Sequence, residues 1–254
     1  ASEAVWHLGQ GRWDAANRLL DAATVAAGEQ PDPHLFEAML TLRALSAQFQ
    51  GRFAEAEQLF AELYASAVKL GNRLHEAWGL YGQAMPKAET GDPGSADLLV
   101  AEAQQLLDGV DRQSILICHA IRAKAAWRSG DAHASLAHAV AGHDAAAGLP
   151  PTNFGSLDGF AVPLEVALRI AINPVDSELR NRARTLVPAA RRSLARYAWV
   201  FPIGRPRLAL GGPADFLLMP VQTLGEAVVS RPVRQVYRGG RLIAAGGRLL
   251  DSRL

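Results

Sequence analysis

Along roughly the first two hundred positions, apolar residues recur at three- and four-residue spacing, the period that gives each helix one stripe to bury against a neighbour. Ala16, Leu19, Leu20 and Ala23 form such a stripe in a helix predicted over 13–27, and Val5, Trp6 and Leu8 belong to the end of a helix before it. Pro31 and Pro33 break the chain, and Leu35, Met39, Leu42 and Leu45 mark the next helix over 35–49. Its partner is predicted over 53–70 and ends at Gly71-Asn72. A helix over 73–89 follows, interrupted by Gly79, Gly82 and Pro86, and then helices over 95–107, 113–128 and 131–147. Gly148-Leu149-Pro150-Pro151-Thr152 is a turn, after which helices over 153–171 and 178–200 complete a fifth hairpin.

The helices are phased by a repeated signature. Gly11-Arg12-Trp13-Asp14-Ala15-Ala16 returns as Gly51-Arg52-Phe53-Ala54-Glu55-Ala56, then with Gly91 leading to Ala96 and Gly130 leading to Ser135, an interval of about 40 residues each time. The glycine closes one helix, and the small residue five positions on (Ala16, Ala56, Ala96, Ser135) lets the next pack closely against it. Trp13, Phe53 and Phe60 sit where such repeats place core aromatics. The predicted fold is mainly α, an α-solenoid of about five helical hairpins over 1–210.

After Leu210 the helical period stops at Gly211-Gly212-Pro213, and residues 211–254 read as a small β-rich tail. A strand is predicted over 214–219, one or two helical turns over 224–229, and a hairpin whose strands 233–238 and 241–245 meet across Gly239-Gly240. Gly239-Gly240 and Gly246-Gly247 lie between strand-like segments with no helix following, so they read as turns, not phosphate loops. The helix that begins at Pro206 is cut short, so the apolar face Leu186, Leu194, Ala198 and Phe201 needs cover. Either Phe216, Leu217, Leu218 and Met219 fold back as a cap, or the sequence joins two fragments at 210/211 and its tail is poorly ordered and promotes self-association. Two short strands without a sheet are marginal alone, which favours the second outcome.

Residues 1–210 resemble the tetratricopeptide-like C-terminal region of large bacterial class III adenylate/guanylate cyclases. The resemblance rests on the 40-residue spacing, on Pro151-Thr152-Asn153-Phe154, and on Ala195-Arg196-Tyr197-Ala198-Trp199-Val200-Phe201-Pro202-Ile203-Gly204-Arg205-Pro206. In that family a catalytic cyclase domain and a P-loop ATPase domain precede the repeats. No Gly-x-x-x-x-Gly-Lys-[Ser/Thr] occurs in this sequence, so the resemblance implies a regulatory solenoid, part of a larger signalling protein, without the nucleotide chemistry. The tail is similar to the C-terminal end of cytosine deaminase-type amidohydrolases, through Gly212-Pro213-Ala214-Asp215-Phe216, Glu226-Ala227-Val228 and Arg238-Gly239-Gly240-Arg241-Leu242-Ile243. That family holds its metal with a His-x-His pair and further residues on barrel strands, and this sequence has no His-x-His and no histidine beyond His143.

Composition narrows the chemistry. A formal net charge of +1 gives no global pull toward nucleic acid or anionic membrane. The single Cys118 makes no internal disulfide and suits a reducing, cytoplasmic setting. No run of 18 apolar residues occurs, and a start without Met fits either a piece of a longer chain or a processed one. His133, His138 and His143 recur every five residues on one helix, turning by about 140° each, so they do not converge on one metal. Cys118, with His119 beside it, lies on an Ile-rich helix, and its thiol reads as a small core hydrophobe, not a nucleophile. No catalytic, cofactor-binding or metal-binding set emerges. The one candidate surface is basic: Arg180, Arg182, Arg184, Arg191, Arg192, Arg196, Arg205 and Arg207 fall in a stretch without Asp or Glu, and Arg180, Arg184 and Arg191 lie close together on a helical wheel. The expected role is a non-catalytic interaction or regulatory module binding a protein or peptide, or another domain of a parent chain, on a concave surface of stacked hairpins. The rival reading is an amidohydrolase fragment lacking its metal-binding barrel.

Overall fold

Six glycines, Gly11, Gly51, Gly71, Gly91, Gly130 and Gly148, adopt the left-handed backbone conformation, with φ between 65° and 102°. Each lies between two helices, where an L side chain would strain the turn. The computed structural model describes residues 2–29, 32–107 and 111–209 and, in the tail, 216–218, 235–238, 241–245 and 248–249. The described chain is mainly helical. Helices α1 (Ser2–Gly9), α2 (Trp13–Glu29), α3 (Pro33–Phe49), α4 (Phe53–Leu70), α5 (Arg73–Thr90) and α6 (Pro93–Leu106) are followed by α7 (Arg112–Arg128), α8 (Ala132–Ala145), α9 (Leu157–Ile172), α10 (Ser177–Val200) and the short α11 (Arg205–Ala209). By contact the chain divides into two units, Ala1–Arg205 and Pro206–Leu254.

Polar side chains start the helices. Asp32, Asn72, Asp92, Asp111, Asp131 and Asp176 each accept a hydrogen bond from a backbone N–H of the first turn. Pro33, expected to break the chain, instead opens α3, and Pro93 opens α6; proline fits the first helical position because no partner awaits its nitrogen there. A second departure concerns 153–171, which is a 3-10 turn at Phe154–Ser156 followed by α9.

In the first unit, α1 packs on α2, α3 on α4, α5 on α6, α7 on α8 and α9 on α10, while α3, α5, α7 and α9 also meet in succession. The small residues of the signature, Ala16, Ala56, Ala96 and Ser135, are all fully buried. Ser135 satisfies its hydroxyl by donating to the Ala123 carbonyl at 2.8 Å. Phe60 is buried as expected, whereas Trp13 and Phe53 are only half-buried. Helix α5 runs unbroken through Gly79, Gly82 and Pro86. These glycines are contact points: a Cβ on Gly79 would lie 2.8 Å from the Tyr64 backbone nitrogen, and one on Gly82 would lie 2.2 Å from the Phe60 ring. Helix propensity is sacrificed there for a close approach of α4 and α5.

The ends of the unit meet. Helix α1 touches both the Phe154–Ser156 turn and a second 3-10 turn, Pro202–Gly204. A Cβ on Gly9 would come within 2.7 Å of the Phe201 ring, which joins Leu8, Ala16 and Phe154 in one apolar cluster. The face expected to need cover is thus partly provided for by α1: Phe201 packs on this cluster, and Leu186, Leu194 and Ala198 are buried.

In the second unit, β1 (Phe216–Leu218), β2 (Gln235–Arg238), β3 (Arg241–Ala245) and β4 (Arg248–Leu249) pair antiparallel in chain order. Phe216 lies opposite Tyr237 and Arg238 opposite Arg241, with a register irregularity between Val236 and Tyr237. The predicted helical turns at 224–229 and the glycine turns at 239–240 and 246–247 lie outside the described residues.

The contact at Gly79 makes a sharp prediction. Gly79→Ala gains helix propensity of about 1 kcal/mol, yet destabilises by a net of about 1–3 kcal/mol, because the obstacle is Tyr64 backbone. Gly94→Ala, where nothing lies within 4 Å, is neutral or stabilising. Urea denaturation of the two variants measures the contrast; a stabilised Gly79→Ala would contradict the α4–α5 approach.

Candidate functional site

Helix α10 carries the candidate surface. Asp176 caps it by accepting from the Leu179 N–H at 2.7 Å, a bond that holds its carboxyl below the usual range, and His133 stands 3.2 Å from the same carboxylate. Leu179, Ala183, Leu186, Ala190, Ser193, Leu194 and Tyr197 form the buried stripe. On the other side Arg180, Arg182, Arg184, Arg191, Arg192 and Arg196 are all exposed. Five of the six fall in two rows. Arg180, Arg184 and Arg191 align along one, and Arg192 and Arg196 lie along the other, with Trp199 in helical register between them and 83% exposed. Arg196 reaches Ser193 Oγ at 3.4 Å; no ion pair to any of the six occurs among the described residues. The sequence reading brings these residues to one helix and the structure leaves them open, with Trp199 as the member that reading missed.

The surface formed by α3, α5 and α7 is occupied differently. Asn153 Oδ1 accepts from the Gly155 N–H at 2.8 Å and tightens a turn that buries Phe154. The Tyr197 hydroxyl donates to the Phe154 carbonyl, and Gln113 Nε2 donates to Thr152 Oγ1. Beside this turn lies a cavity of about 30 Å³ lined by Thr41, Phe60, Trp78, Tyr81, Ile117 and Asn153, room for about one water. Nearby polar groups are paired internally: Trp78 Nε1 donates to Ser114 Oγ at 3.1 Å, and Ser114 donates to Asp111.

Two buried carboxylates hold repeats together. Glu37, fully buried, accepts from Asn72 Nδ2 at 2.8 Å and His75 Nδ1 at 2.6 Å, and its Oε1 has no partner among the described residues. Asp158, nearly buried, takes the Lys124 ammonium at 2.9 Å, and Lys124 also pairs with Glu89. A lone charge among Phe154, Ala161 and Val162 is the sequence signal for Asp158, whereas Glu37, with His34 and Thr41 one turn away, gives none.

The histidines separate as the spacing requires. His133 faces Asp176, and His143 feels Arg196 and Arg192. His138, however, meets His119 across the α7–α8 pair, with Nδ1 atoms 3.4 Å apart. Burial lowers the pKa of all three of His119, His138 and His143; Arg122 lowers the first two further, and His138 also lowers His119. Cys118 is buried, and burial pushes its thiol up to about 12, which suits a small core residue. Among the described residues no group of three or more His, Cys, Asp or Glu is placed to hold a metal, and no helix is long and apolar enough to cross a membrane. No protein-family model matches the sequence, and neither the curated proteins nor the solved structures contain a match.

Two predictions follow from these groups. Lys124→Met takes the ammonium away from a buried carboxylate and costs about 3–5 kcal/mol in chemical denaturation, whereas Arg128→Met, whose side chain is 45% exposed and 3.9 Å from Glu89, costs under about 1 kcal/mol. Equal losses would contradict the role of Lys124. A histidine whose folded-state pKa is depressed takes up its proton more readily when unfolded, so the stability it gives is complete above about pH 6.5 and declines as pH falls. The melting temperature should therefore drop between about pH 7.5 and 5.5, with a shallower drop in His119→Asn/His138→Asn. A profile identical in the double variant would contradict the burial of this pair.

Proposed function

We propose that the chain is a non-catalytic interaction module, a solenoid of tetratricopeptide-like helical hairpins with a β-rich tail, which binds an acidic segment of a partner protein on the outward face of α10. The carrying observation is the open arginine face, six exposed guanidinium groups with no acidic residue from 179 to 214 and Trp199 standing beside them. Guanidinium forks take carboxylates two bonds at a time, and tryptophan adds a flat apolar contact; the two are the side chains most enriched where binding energy concentrates. Left bare, the arginines repel one another, and an acidic segment relieves that repulsion. The whole chain has a net charge of +1 and a pI near 8.2, so the basic character is local and not the broad field on which nucleic-acid binders rely.

The phased left-handed glycines and buried small residues support the solenoid reading. The surface of α3, α5 and α7 is partly taken up by the chain's own turn, whereas α10 presents an open face. A regulatory segment of a cytoplasmic signalling protein is the setting implied by the resemblance to the cyclase repeats.

Fluorescence anisotropy with a labelled Glu-rich peptide tests the reading. Reversing Arg184, Arg191, Arg192 and Arg196 to Glu, or replacing Trp199 by Ala, should weaken binding at least about tenfold while changing stability by no more than about 0.5 kcal/mol per site. Added salt should weaken the parent chain's binding as well. Binding unchanged by the reversal, or equal affinity for single-stranded DNA of the same length, would sink the proposal, and turnover of a substrate by the purified chain would overturn its non-catalytic part.

A further inference from the structure

Helices α7 and α8 carry a juxtaposition that the arginine face does not use. His119 of α7 and His138 of α8 are both partly exposed, so water reaches them. Gly142, one turn beyond His138, lets α8 approach: a Cβ there would lie 3.2 Å from His119 Cβ. The ring centroids are 5.7 Å apart at an interplanar angle of 36°, and the Nδ1 atoms are 3.4 Å apart, so the two nitrogens point nearly head-on at one another. One proton between two neutral imidazoles makes a hydrogen bond there, but a long one.

We infer that His119 and His138 form a two-histidine site for a divalent transition ion of the zinc type, with water completing the coordination. Two nitrogens bound at about 2.0–2.1 Å to a tetrahedral ion lie about 3.3–3.4 Å apart, which is the separation present. Turning each ring by about 35° aims both lone pairs at one point, a small motion for half-exposed side chains. The neutral imidazole is the form that binds metal, so binding is expected to weaken as pH falls. The opposing charge is Arg122, and Asp97 at 2.9 Å offsets it; Asp97 also stands close enough to His138 to act on it electrostatically. No third protein ligand completes a set among the described residues, so the site is an exchangeable one, not a closed structural centre. It differs from the helical pattern His133, His138 and His143, whose members diverge: the second ligand comes from the neighbouring helix.

Titration of the full chain with zinc chloride, followed by calorimetry near pH 7.5, tests it. One equivalent should bind; His119→Asn and His138→Asn should each weaken binding at least about tenfold, while His133→Asn, on the same helix but facing Asp176, leaves it unchanged. Because a variant can fail to fold, Cu²⁺ electron paramagnetic resonance of the unaltered chain supplies a second readout: hyperfine splitting from two imidazole nitrogens is expected. Absence of zinc binding up to about 1 mM, binding that survives in the folded double variant, or a copper spectrum without imidazole nitrogen would each overturn the assignment.

Discussion

Close approach of paired helices at one small side chain per hairpin is the constraint on which the first unit depends. Ala16, Ala56, Ala96 and Ser135 have no exposed surface, and each follows by five residues a glycine in the left-handed conformation. The glycine reverses the chain sharply enough to bring the helices together, and the small residue removes the bulk that would hold them apart. Where α4 meets α5 the demand goes further: Gly79 and Gly82 occupy helix-interior positions at which even a methyl group collides. Phe60 is buried at this approach, with its ring against Gly82.

That packing leaves a surface on α3, α5 and α7, and the chain occupies part of it with its own turn. Phe154 enters the apolar cluster of Leu8, Leu45 and Phe60, and its carbonyl is held by Tyr197 from α10. Such a turn spends on internal cohesion an area that stacked hairpins elsewhere keep for ligands. Polar groups close by follow the same economy: Trp78, Ser114 and Asp111 form a chain of internal hydrogen bonds. On the exposed arginines of α10, by contrast, no ion pair forms among the described residues, and the imidazoles of His119 and His138 meet only each other within hydrogen-bond range.

What was readable in the sequence is what local physics decides. The glycine signatures placed their turns within a residue, and the apolar period placed α4 as Phe53–Leu70, because left-handed turns and helical stripes are properties of adjacent residues. Pro33 was misread as a breaker because the same ring that interrupts a helix interior suits its first position, and Asp32, its capping neighbour, decides which applies. Gly82 and Pro86 suggested weakness in α5, since propensity does not register the Phe60 ring on the other side. The arginine stripe was legible because its members lie on one helix. The His119–His138 encounter was not: spacing along α8 correctly separated its own histidines but carries no information about what α7 brings to meet them.

The contact of α1 with the Pro202–Gly204 turn has a consequence for how the unit comes apart. In a row of hairpins that touch only their neighbours, the terminal pairs have one interface each and fray first, so the row loosens from its ends by degrees. Here Gly9 and Phe201, near opposite termini of the unit, share a packed interface, and Lys124 ties α7 to Asp158 of α9 and Glu89 of α5 at once. Loosening either end exposes apolar surface on the other, so the free ends that a linear array would have are tied into one melting event. The same closure delays assembly, since a pairing of such long sequence separation forms only after the local hairpins are in place.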